Sequence, residues 1–169
     1  MKKAIGMAEF ITVSEGIAAA DRMVKTAEVE ILEAQTVCPG KYIVVISGEL
    51  SAVNAAVDAA KKHHADKLID SFVLGNPHES IFPAIYASAE ITGAEALGVM
   101  ETFSAASAVF AADAAAKTAL VDLIELRLAR GMCGKSYLML TGTVSAVAAA
   151  IERANAAAAE RGMFLDSKV

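Results

Sequence analysis

The sequence predicts an α/β (α+β) protein built as two tandem copies of one βαββαβ unit. Three observations predict it. The chain repeats itself, each half alternates apolar strand-like runs with alanine-rich segments, and the glycines between these segments recur at matching places. Residues 4–31 match residues 96–123 at an offset of 92, with ten of 28 pairs identical, among them Gly6 with Gly98, Glu9 with Glu101, Asp21 with Asp113 and Lys25 with Lys117. Residues 40–60 match residues 134–154 at an offset of 94, with nine of 21 pairs identical, including Gly40-Lys41 with Gly134-Lys135 and Gly48 with Gly142. The change of offset places a two-residue insertion in the second copy between 123 and 134, and Asp70-Ser71 with Asp166-Ser167 closes each copy.

The elements follow in order. Ala4 to Phe10 and Ala96 to Phe103 read as first strands, and the alanine-rich segments Ser14 to Thr26 and Ala105 to Thr118 have the length and residue types of helices. Val29 to Val37 and Val121 to Ala129 alternate partly and read as second strands. Turns at Pro39-Gly40 and Met132-Cys133-Gly134 lead into Tyr42 to Ile46 and Tyr137 to Leu140, strands by their β-branched and apolar content. A second helix over 51–64 and 145–160 precedes a last strand over 67–74 and 162–167. This order is that of a ferredoxin-like split βαβ arrangement, a sheet with both helices on one face. Asn76-Pro77-His78 and Pro83 interrupt the pattern, Ser80 to Ala89 reads as a short helix, and Thr92-Gly93 as a linker. The domains are therefore set at residues 1–93 and 94–169.

Composition excludes several function classes. Hydrophobic residues make up 56% of the 169, yet no run reaches the roughly 18 uninterrupted apolar residues of a membrane span. Much of the excess is alanine, which suits close helix packing and extensive subunit contacts, so an oligomer is expected. The basic start, Met1 to Gly6, meets Glu9 at once and has no signal-peptide core, which predicts a cytoplasmic protein. A net charge of -5 argues against a nucleic-acid partner. The two cysteines, Cys38 and Cys133, read as free thiols and not as a disulfide framework. No nucleophile and base constellation, phosphate loop or metal-spaced histidine pair is present, and His63-His64 are adjacent on a helix and point about 100° apart. Glu9 and Glu101, repeated on equivalent strands, suggest a structural hydrogen-bonding role.

The Ala-Ile-Gly-x-x-Glu opening, the Asp21 to Ala27 helix end, the Cys38-Pro-Gly-Lys-Tyr turn, the Gly48-Glu-Leu-Ser-Ala-Val helix start and Asn76-Pro77-His78 carry a resemblance. Together they resemble a bacterial microcompartment shell domain, and the likeness recurs in the second copy. Two such domains resemble the tandem class that assembles as a homotrimer, giving a pseudohexameric tile, and in particular the propanediol-utilisation type. One departure is that relatives of that type carry a tail beyond the last strand, where this sequence stands at Val169. The resemblance implies a structural shell protein and not an enzyme, with self and other shell proteins as partners, and encapsulated redox enzymes as further ones.

It also implies site roles. Cys38 would ligate a [4Fe-4S] cluster shared by three chains at the threefold axis, for electron transfer or gating. Pro39, Gly40, Met132, Cys133 and Gly134 would line the pore. Lys25, Lys117 and His78 would lie at the assembly edge. A lone Cys-Pro-Gly is otherwise a weak motif, since free cysteine is commonly just buried, and Cys133 aligns with Pro39 and reads as a turn residue. A lysine at a helix end is ordinarily a solvated partner of the last carbonyls. Two alternatives stand beside this reading: a shell tile without a cluster whose pore conducts small metabolites, and a ferredoxin-like ligand-sensing protein.

Overall fold

Why strands and helices fall where they do is clearest at the glycines. The computed structural model describes residues 4–91 and 93–169; the basic lead-in Met1 to Lys3 and Thr92 of the expected linker lie outside the described residues. Contacts divide the chain into two compact units, up to Pro77 and from His78 to Val169.

The first unit runs β1 (Ala4–Phe10), α1 (Val13–Thr26), β2 (Val29–Val37), β3 (Lys41–Gly48), α2 (Leu50–His63) and β4 (Leu68–Gly75). Its antiparallel sheet has the order β2-β3-β1-β4, as the split βαβ arrangement requires. Ala4, Ala8 and Phe10 of β1 and Tyr42, Val44 and Ile46 of β3 pack with Ala19, Met23, Val53, Val57 and Ala60 of the two helices in one core. Alternation sends Ile5, Met7, Ile43 and Val45 to the opposite face, and they too are fully buried. Gly6 is required because α2 crosses β1 closely: a Cβ there would stand 2.7 Å from Val53 Cγ1 and 2.8 Å from Val57 Cγ2. Gly98 meets the same limit, with Ile151 Cγ1 at 2.8 Å and Val147 Cγ1 at 2.9 Å, so the repeated glycine reflects one packing rule applied twice.

The second unit begins with α3 (Ile81–Ile85), shorter than the expected 80–89. It continues with β5 (Ala96–Thr102), α4 (Ala105–Thr118), β6 (Asp122–Arg127), β7 (Ser136–Gly142), α5 (Val144–Glu160) and β8 (Phe164–Lys168), in the sheet order β6-β7-β5-β8. Register breaks recur at equivalent places, at Ile31/Glu33 and Leu123/Glu125 and at Glu9/Phe10 and Glu101/Thr102, so the bulges were duplicated with the fold. β6 stops at Arg127 because Ala129 turns to φ +57 and its amide donates to the buried Ser136 Oγ at 3.0 Å. The sequence placed the boundary after 93, whereas residues from His78 onward group with the second unit: α3 packs on β6 and α4, and Ile81, Ala84 and Ile85 are buried. No helix among the described residues is long and apolar enough to cross a membrane.

One pair of substitutions between the copies compensates. Gly16 on α1 lies against Tyr42, so that a Cβ would be 2.4 Å from Tyr42 Cδ1. The repeat puts Ala108 and Ser136 at these two positions in the second unit, both buried. A small residue faces a ring in one copy, and an alanine and a serine stand at the two places in the other.

Candidate functional site

The turn from β2 to β3 consists of Cys38, Pro39 and Gly40, with a cis peptide between the first two. Cys38 is half-buried and the next two residues are exposed. Gly40 adopts φ +79 with open space around it, so the left-handed backbone and not crowding calls for glycine. Gly134 repeats it at φ +87. The second unit's connection, residues 128–135, carries the two-residue insertion and three further left-handed residues, Ala129, Gly131 and Cys133. Cys133 is exposed. The sequence-predicted Pro39, Gly40, Met132, Cys133 and Gly134 therefore all lie in equivalent turns of their own units, with the two thiols one place out of register.

Each turn is pinned at its base. Lys41 Nζ donates to Glu9 Oε1 at 2.6 Å, with the carboxylate buried and the ammonium mostly so. In the second unit Lys135 Nζ reaches Glu101 Oε2 at 3.4 Å, on a more exposed pair. The structural role read for Glu9 and Glu101 holds. Its lysine partner was missed, although the identity of Gly40-Lys41 with Gly134-Lys135 carried the signal.

The second unit has a polar triad beside its turn. Tyr137 Oη donates to Glu125 Oε2 at 2.7 Å, Arg127 donates through Nε to Glu125 Oε1 at 2.9 Å, and its guanidinium lies 5.4 Å from the Tyr137 ring centroid. Burial works against the Glu125 carboxylate, but the hydrogen bonds from Tyr137 and Arg127 prevail and hold its pKa below the ordinary value. Burial first, then the hydrogen bond to Glu125, pushes the Tyr137 phenol up. The equivalent positions of the first unit are Glu33, Gln35 and Ile43, where Gln35 Nε2 donates to Glu33 at 2.8 Å.

The three residues expected at an assembly edge are not alike. Lys25 sits at the end of α1, largely exposed, paired with Asp21 at 2.7 Å. Lys117 makes the same i,i+4 pair with Asp113 at 2.7 Å, but Asp113 is buried and its other oxygen accepts the His78 amide at 2.8 Å. Lys117 and His78 thus converge on one carboxylate, while Lys25 pairs with the exposed Asp21.

No group of three or more His, Cys, Asp or Glu positioned to hold a metal ion occurs among the described residues. His64 is turned inward, its Nδ1 2.6 Å from Glu15 Oε1 and its ring edge-on to Phe10, so it ties α2 to α1. The second unit makes the same tie with other chemistry: Arg161 Nε donates to Ser107 Oγ at 3.3 Å and stacks 4.4 Å from the Phe110 centroid.

Comparison with known proteins places this geometry. The BMC domain model matches residues 4–77 and again 96–169. The chain is 37% identical over 165 residues to the bacterial microcompartment shell protein PduT of Citrobacter freundii, covering 98% of this chain and 90% of that one. The carboxysome shell protein CsoS1 of Prochlorococcus marinus is 38% identical over 85 residues, 48% of this chain and 82% of its own. Among solved structures, a microcompartment protein from Desulfitobacterium hafniense DCB superposes with a TM-score of 0.95 at 45% identity, covering 99% of this chain and 93% of that one. A fused permuted hexameric shell protein from the RMM microcompartment shares the fold, with a TM-score of 0.69 at 24% identity over 94% of this chain and 84% of that one. Two matches of one family model, in register with the sequence repeat, show that the chain belongs to the BMC domain family and is a tandem-domain, structural shell protein of bacterial microcompartments.

Proposed function

We propose that three copies of this chain form a pseudohexameric shell tile whose centre is ringed by the Cys38-Pro39-Gly40 and Met132-Cys133-Gly134 turns, with Lys25, Lys117 and His78 at its edges. The observation that carries the reading is the duplicated turn: both units project a left-handed Gly-Lys corner anchored by a strand glutamate, the geometry that six-fold repetition around a pore needs. Cys38 is a half-buried thiol on the more tightly pinned of the two turns. Iron-sulfur clusters take thiolate ligands, ordinarily four. One chain offers Cys38 alone at that position, so the donor set fits a [4Fe-4S] cluster only when a threefold axis supplies three thiols and a small molecule or water the last ligand. Bound there, a cluster supplies one-electron transfer between the lumen, with its redox enzymes, and the outside, or a plug whose loss opens the pore. Lys41 and Glu9 anchor the strand that follows the thiol-bearing turn.

A second reading keeps the tile and leaves the pore as a conduit for small polar metabolites. It is favoured by the register: the second unit presents Met132 where the first has Cys38, so half of the ring lacks a matching thiol. Anaerobic purification followed by iron, sulfide and visible absorbance measurements separates the two. The cluster reading expects about four irons per three chains, lost in Cys38→Ser with the oligomer intact. An iron-free oligomer after reconstitution leaves the conduit, and scattering that finds monomers or a plain dimer refutes the tile.

A further inference from the structure

In the second unit three cations gather at one groove of the helix layer. The groove lies where α4 packs on α5 and has a volume of about 370 Å³, within the range of small-ligand clefts. Phe110, Asp113, Lys117, Arg153, Glu160 and Arg161 line it. Its acids do not answer its cations. Asp113 is committed through both oxygens, Oδ2 to Lys117 Nζ at 2.7 Å and Oδ1 to the His78 amide at 2.8 Å. Glu160 stands 3.8 Å from Arg153 Nη1, beyond hydrogen-bond length and on an exposed pair, where such contacts contribute little. Among the described residues Arg161 reaches no carboxylate: its Nε donates to Ser107 Oγ at 3.3 Å and its guanidinium lies 4.4 Å from the Phe110 centroid. The helix macrodipole asks only for positive charge near the last carbonyls of α5. Arg161 instead crosses to α4, where the buried Ser107 and the ring fix its guanidinium plane. Held through Nε and one face, it leaves the Nη donors of its fork without a protein partner among the described residues.

We propose that the groove between α4 and α5 binds a small multivalent oxyanion, a phosphoryl or dicarboxylate compound, through Arg161 and Arg153 with Lys117 beside them. An anion with several oxygens accepts from both guanidinium forks and supplies the countercharge that Asp113 and Glu160 do not. Arg161 is ordered before the ligand arrives, which lowers the entropy lost on binding. The first unit does not repeat this site. Ala18 and Ala59 stand at the positions of Phe110 and Arg153, and Arg22 at that of Ala114, which lines the groove. Duplication therefore does not account for the cluster, and a single site per chain is expected. The groove is built from helices and not from the β2-β3 and β6-β7 turns, so its ligand is independent of what fills the pore.

The test is isothermal titration calorimetry of the full chain at low ionic strength, with inorganic phosphate and succinate as separate probes. It is run before and after Arg153→Ala combined with Arg161→Ala, with far-ultraviolet circular dichroism as the folding control. The wild-type chain binds at least one probe at a single site per chain, and the double variant binds it roughly tenfold or more weakly, the factor that a lost charge-assisted hydrogen bond supplies. Lys62→Ala, which removes an exposed cation of α2, keeps the wild-type affinity. Phosphate bound without succinate identifies a phosphoryl ligand, and the reverse a dicarboxylate. A wild-type chain that binds neither probe, a double variant that keeps the wild-type affinity, or Lys62→Ala weakening binding as much as the double variant overturns the site. If the double variant unfolds, Arg153→Glu, at an exposed side chain, takes its place with the same outcomes.

Discussion

Replacing Gly16 tests whether the two copies repacked as a compensated pair. In Gly16→Ala the new methyl stands 2.4 Å from Tyr42 Cδ1 and 2.6 Å from both Tyr42 Cβ and Cγ. Turning the ring relieves the first contact but not the others, because Tyr42 Cβ is fixed to β3, so α1 must lift from the sheet. Overpacking of this kind costs about 1–3 kcal/mol, and the better helix propensity of alanine returns up to ~1 kcal/mol. Tyr42→Ser alone empties the space of a buried ring, a loss of about 3–5 kcal/mol by analogy with other aromatic truncations. In the double variant the methyl meets no ring, only the propensity gain remains, and the protein is no less stable than Tyr42→Ser. The coupling between the sites is then about 1–3 kcal/mol, the overpacking that the second substitution removes, and opposite in sign to the single losses. Urea titrations of the four proteins at matched concentration measure it, since self-association would otherwise shift the apparent stability. Losses that add to within ~0.5 kcal/mol would refute the compensation and with it the reading of Ala108 and Ser136 as the alternative solution.

Two further outcomes are expected. Lys41→Met strands the buried Glu9 carboxylate and destabilises by about 3–5 kcal/mol, whereas Lys135→Met breaks a longer, more exposed pair and costs at most ~1 kcal/mol; equal losses in urea titration would contradict the difference in anchoring. The Glu125 and Tyr137 pair gives a pH signature with opposite ends. Glu125, depressed below 4.5, contributes stability that is present above that value and lost as pH falls through its folded pKa. Tyr137, raised above 10.0, contributes stability that is present below that value and lost as pH rises through its folded pKa. Glu125→Gln brings the Tyr137 phenolate absorbance back toward the ordinary tyrosine range, and an unchanged titration would refute the hydrogen bond as a cause.

The repeat, read from residue identities alone, determined the element order, the sheet topology and the position of the thiol-bearing turn. It could do so because the identities that survive duplication are those whose backbone or packing leaves no choice: Gly6 and Gly98 under a crossing helix, Gly40 and Gly134 in left-handed corners. What the tertiary structure alone decided is what depends on residues far apart in the chain. Lys41 finds Glu9 across 32 positions and His64 finds Glu15 across 49, and no local pattern announces such partners. The same holds for Lys25 and Lys117, at equivalent helix positions, yet Lys117 shares a buried aspartate with the His78 amide while Lys25 stays in solvent. Periodicity records which face of an element is apolar, and only the fold, by choosing which distant segment arrives there, sets whether that face is covered.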